Sequence, residues 1–86
     1  MTSKRKITYS TGETAELTGA TIKQIYYWEK RGFLNPEKVV CGKIAYKRYT
    51  PSQVEIVKEI KGYLDQGYTL AKAAELVMNG RGSNGN

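Results

Sequence analysis

Apolar and polar positions along the chain follow two different periods, and the change of period predicts the order of the elements. Apolar residues three or four positions apart favour four helices, over residues 11–18, 22–31, 51–66 and 70–78. Residues 37–49 instead concentrate Val, Ile and Tyr on either side of Gly42. That composition favours a small β-hairpin with its tip at residues 41–43.

Capping residues mark where the helices begin. In a capping box, a Ser or Thr side chain accepts from the backbone three residues on, and the Glu or Gln there accepts in return. Three such pairs stand before predicted helices: Ser10 with Glu13, Thr21 with Gln24, and Thr50 with Gln53. Thr69 is a fourth N-cap that lacks the reciprocal partner. The sequence therefore marks all four helix starts.

The spacing of these elements predicts the fold. Only residues 19–21 separate the first two helices, and a three-residue turn that contains glycine is typical of a helix-turn-helix. A lone hairpin is unstable in water, so we expect this one to pack on the helices as a wing. The fold class is therefore mainly α with a small β-hairpin wing, in the order helix-helix-hairpin-helix-helix. We expect this winged helix-turn-helix domain over residues 8–79, between a flexible basic lead-in (1–7) and a flexible tail (80–86).

The second helix divides into a core-facing stripe and a polar face. The stripe comprises Ile22, Ile25 and Trp28 or Glu29. Because residues 26–28 are all aromatic, they cannot all be buried on one face. We expect Tyr27 to point outward and Trp28 to lie in the core. Tyr46 and Tyr49 are expected to seat the wing on the third helix.

The excess positive charge lies in the first half of the chain. The net charge is +6, and residues 1–50 carry ten Lys and Arg against four acidic residues, whereas residues 51–86 carry four of each. Neutralising phosphates releases counterions, so this distribution favours a polyanionic partner. Solubility is the alternative explanation, since many small soluble domains are basic.

In a helix-turn-helix, the second helix enters the major groove of duplex DNA. There, Gln24 can pair with adenine, Lys23 can reach guanine or phosphate, and Tyr27 can donate to phosphate. The N–H groups at the helix start, near Thr21, can hold a phosphate. The candidate DNA-contacting residues, on this helix and the wing, are Thr21, Lys23, Gln24, Tyr27, Lys30, Arg31, Lys43, Lys47 and Arg48.

Two explanations without DNA binding also account for these residues. A charged helix face is common on any solvated helix. Lysines on a hairpin, here Lys38, Lys43 and Lys47, also protect its edges from pairing with other chains. The combination of a basic wing with a polar second helix instead favours DNA binding, in which the wing contacts phosphates or the minor groove.

Chemistry other than binding has little support in the sequence. With a single cysteine, Cys41, and no histidine, neither an internal disulfide nor a Cys/His metal cluster can form. There is no nucleophile–base pair and no glycine-rich phosphate motif. We therefore expect no enzyme activity, cofactor or metal. The lone thiol fits a reducing, cytoplasmic compartment. We find no signal peptide and no apolar run of membrane-spanning length, so no membrane partner is expected.

Four segments resemble the DNA-binding domain of MerR-type transcription regulators. Residues 9–19 (YSTGETAELTG) resemble its opening helix, and residues 22–36 (IKQIYYWEKRGFLNP) resemble its recognition helix and the turn that follows. Residues 45–50 (AYKRYT) resemble the end of its wing, and residues 64–70 (LDQGYTL) resemble the connection between its two later helices. The resemblance covers about residues 8–78, and the segments keep the order and spacing of the family.

The resemblance implies a winged helix-turn-helix that binds double-stranded promoter DNA, usually as a homodimer on an inverted repeat. By position, Lys23, Gln24 and Tyr27 fall where family members touch DNA, and Lys47 falls where a wing residue contacts phosphate. Tyr26 occupies a position that is often arginine. Typical members continue into a dimerising helix and an effector region, whereas this chain continues after Met78 into a polar tail. Signal sensing is therefore not expected of these residues, and two alternatives stay open: a DNA-binding fragment of a longer protein, or a small protein that acts alone.

Transcription regulation is the leading hypothesis, and two others stay open. An excisionase-like or nucleoid-architectural protein would use the same domain to bend DNA or to assemble a nucleoprotein complex. A protein-interaction adaptor would instead use residues 26–28 and Phe33 as an apolar docking surface. The adaptor would bind its partner independently of salt, which separates it from both DNA-binding hypotheses.

Overall fold

The computed structural model describes residues 7–82, with side chains for residues 7–80. Its elements are α1 (Thr11–Thr18), α2 (Ile22–Lys30), β1 (Glu37–Cys41), β2 (Ile44–Arg48), α3 (Pro51–Asp65) and α4 (Leu70–Gly82). The strands form a two-stranded antiparallel sheet. This confirms the predicted fold class, mainly α with a β-hairpin wing. The expected lead-in over residues 1–6 and the tail over residues 83–86 lie outside the described residues.

Three helix ends differ from their predicted positions. Arg31 and Gln66 are C-caps, so α2 and α3 each end one residue earlier than expected. The opposite holds for α4, whose helical backbone continues through residues 79–82, where the sequence predicted an end at Met78 and a tail from residue 80. A glycine inside a helix costs only about 1 kcal/mol relative to alanine, so Gly80 does not by itself end a helix.

The capping boxes of α1 and α2 form as predicted. Glu13 N donates to Ser10 Oγ at 3.0 Å, and Ser10 N donates to Glu13 Oε1 at 2.8 Å. Thr21 and Gln24 repeat this arrangement at the start of α2, with both distances at 3.0 Å. These reciprocal bonds satisfy N–H groups that the helix itself leaves without partners.

The predicted box at α3 is only half formed. Gln53 N donates to Thr50 Oγ1 at 3.3 Å, but the Gln53 side chain turns away and donates through Nε2 to Asn35 O at 2.9 Å. A carbonyl in the loop before the wing therefore competes successfully with the local cap. The N-cap of α4 is confirmed, because Lys72 N donates to Thr69 Oγ1 at 3.1 Å.

The exit from α2 directs the chain towards the wing. Gly32 N donates to Glu29 O and Phe33 N donates to Trp28 O, both at 3.0 Å. This is a Schellman motif, and its glycine adopts a φ of 91°, which other residues rarely tolerate. The reversal places Leu34 in the core before Pro36 leads into β1.

One apolar cluster joins α2, α3 and α4 to the base of the wing, and Ala15 of α1 packs against it. Its buried members are Ala20, Ile25, Trp28, Leu34, Tyr49, Val57, Ile60, Ala73 and Val77. Trp28 is 2% exposed, as expected for a core residue, but Ile22 is 45% exposed and does not join the stripe. Helical side chains lean towards the N-terminus, so the side chain of Ile22, the first residue of α2, projects beyond the helix end.

The wing packs on the helices only at its base. Tyr49 is fully buried, and its backbone exchanges two 2.8 Å hydrogen bonds with Tyr9. Every residue of β1 is exposed, as are the first three of β2. The expectation that Tyr46 seats the wing is therefore wrong. It pairs with Val39 of the neighbouring strand and stays about half exposed.

Burial of Tyr49 predicts a loss of stability in alkali. Burial raises the pKa of Tyr49 above its ordinary 10.0, because the buried phenolate is poorly solvated. The unfolded chain then ionises first, so the stabilisation is complete below pH 10.0 and declines as the pH rises towards the folded pKa. Unfolding with urea at several pH values should show a smaller alkaline decline for Tyr49→Phe than for wild type. Equal declines would contradict this explanation.

None of the helices within the described residues is long and apolar enough to cross a bilayer.

Candidate nucleic-acid interface

The start of α2 presents polar groups on a rigid, capped helix. Thr21 and Lys23 are exposed, and Gln24 is half-buried. The capping box uses Thr21 Oγ1 as an acceptor and engages Gln24 Oε1 with Thr21 N. Since an amide oxygen has two lone pairs, Gln24 keeps one acceptor site and both Nε2 donors for another partner. The box therefore fixes the Gln24 side chain without exhausting its hydrogen-bonding capacity.

At the C-terminal end of α2, one cation that caps the helix contacts two aromatic rings, one within the helix and one just after it. Arg31 Nη1 donates to the Tyr27 hydroxyl at 3.1 Å. The guanidinium carbon lies 5.7 Å from the ring centroid of Tyr27 and 5.5 Å from that of Phe33. Tyr27 is 48% exposed, which confirms that it points outward. Its O–H remains able to donate, so Tyr27 and exposed Lys30 both offer donors on this face.

Tyr26 also lies at the surface and is 47% exposed, so two of the three consecutive aromatic residues face solvent. Its ring centroid is 5.0 Å from Lys47 Nζ of the wing, within the range of a cation–π interaction. Tyr26 thus contacts the wing from α2.

The candidate cations of the wing fall into two groups. Lys43 lies exposed in the two-residue turn at the tip, beside Gly42. Lys47 and Arg48 lie half-buried at the base. Arg48 donates through Nε to Thr8 Oγ1 and through Nη2 to Thr8 O, both at 3.0 Å. These bonds hold the end of β2 against the segment that precedes α1.

Lys47 forms an ion pair with Glu29 of α2. Its Nζ lies 2.9 Å from Oε1 and 3.0 Å from Oε2 of that carboxylate. This hydrogen bond is the main reason that the pKa of Lys47 is raised above 10.5, because it favours the charged ammonium form. Two of its three N–H donors point to Glu29, which leaves one donor for a phosphate.

A cleft of about 290 Å³ separates the wing from the helix-turn-helix. Residues 10–12 at the start of α1, Tyr26 of α2 and residues 45–48 of β2 line it. The start of a helix carries partial positive charge, and Lys47 and Arg48 add two cations on the opposite side. A larger cleft of about 600 Å³ lies between α3 and α4, but none of the nine candidate residues lines it.

Sequence reasoning missed the residues that support the wing, namely Thr8, Tyr26 and Glu29. Glu29 and Lys47 are 18 positions apart, so no local pattern pairs them. The adjacency of Arg48 and Thr8 likewise depends on how the wing folds back. Within residues 7–82, acidic and cysteine side chains form no group of three or more that could hold a metal.

Comparison with known proteins identifies the family. Residues 9–79 match the MerR HTH family regulatory proteins. Over 71 residues the chain is 35% identical to the HTH-type transcriptional repressor CarH of Myxococcus xanthus, an alignment that covers 81% of this chain and 23% of CarH. The chain thus spans about a quarter of the length of that relative.

Two crystal structures share the fold. A MerR-family transcriptional regulator from Bacillus cereus superposes with a TM-score of 0.71 at 18% identity, covering 84% of this chain and 52% of its own. HiNmlR, a MerR-family regulator lacking the sensor domain and bound to promoter DNA, superposes with a TM-score of 0.68 at 19% identity, covering 84% and 53%. Since the family match extends over most of the chain and these structures reproduce its arrangement of helices and wing, the chain belongs to the MerR family of helix-turn-helix regulatory proteins.

Proposed function

We propose that this chain is a sequence-specific, double-stranded DNA-binding domain that acts in transcription regulation. The observation that carries the proposal is the pairing of two elements: a capped helix with an exposed polar face, and a basic wing that projects beside it. The relative CarH is a transcriptional repressor, and HiNmlR is bound to promoter DNA in its crystal structure, so both support the same role. In this proposal α2 occupies the major groove, and the wing lies along the flanking backbone.

The candidate residues form two groups, one that recognises bases and one that contacts the DNA backbone. Gln24 and Lys23, near the start of α2, read base edges, since the N-terminal residues of a recognition helix approach the bases most closely. Tyr27, Lys30 and Arg31 reach phosphates on one side. The Thr21 end of α2 holds a further phosphate, and the wing cations Lys43, Lys47 and Arg48 grip the backbone on the other side.

The proposed protein is a cytoplasmic, non-catalytic regulator whose partners are duplex DNA and a second copy of itself. Two copies related by a two-fold axis would occupy an inverted repeat, one half-site to each recognition helix. If the dimer forms only on DNA, the fraction of DNA bound should rise cooperatively with protein concentration.

Selection from a random duplex pool near physiological salt, followed by sequencing of the retained DNA, tests the proposed function. An enriched motif is the expected result, and an inverted repeat would support a dimeric regulator. Direct or irregular repeats would favour the architectural role. Retention without enrichment would contradict sequence-specific binding, and no retention would favour the adaptor.

Lys47→Ala should weaken binding to every duplex. If Lys47 contacts one phosphate, its loss should reduce the slope of log affinity against log salt by about 0.9. Titrations by fluorescence anisotropy at several salt concentrations would measure this slope. Lys61→Ala is a matched control, because Lys61 Nζ is also paired with a carboxylate, Asp65 at 2.7 Å, but lies on α3. A slope that Lys47→Ala leaves unchanged would remove Lys47 from the phosphate contacts.

A further inference from the structure

The projecting part of the wing has little packing to fix its direction. Val40 is 67% exposed and Ile44 is 54% exposed, although both are apolar residues of adjacent strands. A two-stranded hairpin is at best marginally stable by itself. Its orientation relative to α2 must therefore be set at its base, where Lys47, Arg48 and Tyr49 meet the rest of the domain.

Of these three, Lys47 ties the wing to the recognition helix itself. Arg48 bonds to Thr8, and the backbone of Tyr49 bonds to Tyr9, both in the segment before α1. Lys47 instead places its ammonium between both oxygens of Glu29 and 5.0 Å from the ring centroid of Tyr26, both residues of α2. The pair is half-buried, with 32% and 24% of the two side chains exposed, so solvent screens it less than a fully exposed pair.

The sign of the charge on Glu29 makes its position unexpected. A carboxylate on the recognition helix of a basic DNA-binding protein repels the phosphate backbone. On charge alone, removing it should strengthen binding to any duplex. The position of Glu29 beside the wing has a physical reason if its ion pair with Lys47 holds α2 and the wing at a fixed distance and angle.

We propose that Glu29 is a positioning residue for DNA recognition, which through Lys47 fixes the wing to the recognition helix so that both engage one duplex. The expected effect of Glu29 on DNA affinity rests on the proposed function. The ordering of the wing is a property of the free protein. Because a preorganised wing does not have to be ordered on binding, Glu29 increases affinity for the specific site despite its unfavourable charge.

Glu29→Gln tests this, because it keeps the size of the side chain and one acceptor but removes the charge. In the free protein, backbone amides of the β1–β2 ladder should exchange with deuterium faster than in wild type. Affinity for the duplex enriched by selection should fall by up to about fivefold, the fold-change that corresponds to a partly exposed ion pair. Affinity for a scrambled duplex should stay equal or rise, so the ratio of the two affinities should fall.

Glu55→Gln is the matched control, since Glu55 is exposed on α3 and its substitution removes the same charge. It should leave amide exchange in the wing unchanged and should not weaken binding to either duplex. A charge-swapped variant, Glu29→Lys with Lys47→Glu, should restore slow exchange in the wing. It should not restore DNA binding, because the wing would then carry a carboxylate where the phosphate contact is proposed. Thermal unfolding followed by circular dichroism should confirm that all variants remain folded.

Two results would overturn the inference. Unchanged amide exchange in the wing of Glu29→Gln would show that the ion pair does not order it. Tighter binding of Glu29→Gln to both duplexes, as electrostatics alone predicts, would show that Glu29 opposes recognition. Failure of the wild-type protein to bind any duplex would instead contradict the proposed function, while the exchange measurement would still decide whether Glu29 orders the wing.

Discussion

Trp28→Ala is expected to abolish the stable fold. Trp28 is 2% exposed and lies in the cluster that joins α2 to α3 and α4. Truncating a buried Trp or Phe to Ala costs about 3–5 kcal/mol, because contacts are lost and a cavity remains. Folded domains are stable by only about 5–15 kcal/mol, and a domain of 86 residues belongs near the lower end. We expect cooperative unfolding to disappear or to shift to a much lower temperature in circular dichroism melts.

The neighbouring Tyr27→Ala provides a control within the same aromatic run. Tyr27 is 48% exposed and makes only surface contacts with Arg31, so its substitution should lower the free energy of unfolding by about 1 kcal/mol or less. The contrast between adjacent positions tests the assignment of the buried face of α2. Comparable losses for both variants would contradict that assignment.

The starts of the helices could be predicted because their signals are local. The boxes at Ser10 and Thr21 depend on residues three positions apart, and such geometry is the same wherever a helix begins. The box at Thr50 shows the limit of this reasoning. Gln53 has the correct spacing, but the carbonyl of Asn35, 18 residues away, takes its side chain. The Gln53 side chain therefore makes a tertiary hydrogen bond to Asn35 in place of the local capping bond to Thr50 N, although the two bonds are of similar strength.

The position of the wing could not be predicted in the same way. Val, Ile and Tyr favour a strand, but they do not determine whether a neighbouring element covers it. No local pattern therefore distinguishes Tyr49, which is buried at the base, from Tyr46, which is exposed three residues earlier. The pairing of Lys47 with Glu29 follows from how the chain turns between α2 and β1, so its prediction requires the fold itself.

Gln24→Ala is expected to change which bases the protein prefers. The capping box holds Gln24 at the start of α2 with its Nε2 group and one lone pair of Oε1 available. Those two groups match the N7 acceptor and the N6 donor of adenine in the major groove. A bidentate contact of this kind discriminates against a wrong base by about 1–3 kcal/mol. Selection with the alanine variant should therefore show one base pair of the motif at which the preference for A·T is lost.

Gln24→Glu separates base recognition from capping. Glutamate can accept from Thr21 N as glutamine does, so the start of α2 should remain intact. It has no amide donor for adenine N7, but it can accept from the N4 group of cytosine. Selection with this variant should consequently replace adenine by cytosine at the same position, with an overall loss of affinity from the added negative charge. An identical motif for the wild-type, alanine and glutamate proteins would show that Gln24 only caps the helix, and that Lys23 or indirect readout of DNA shape provides the specificity.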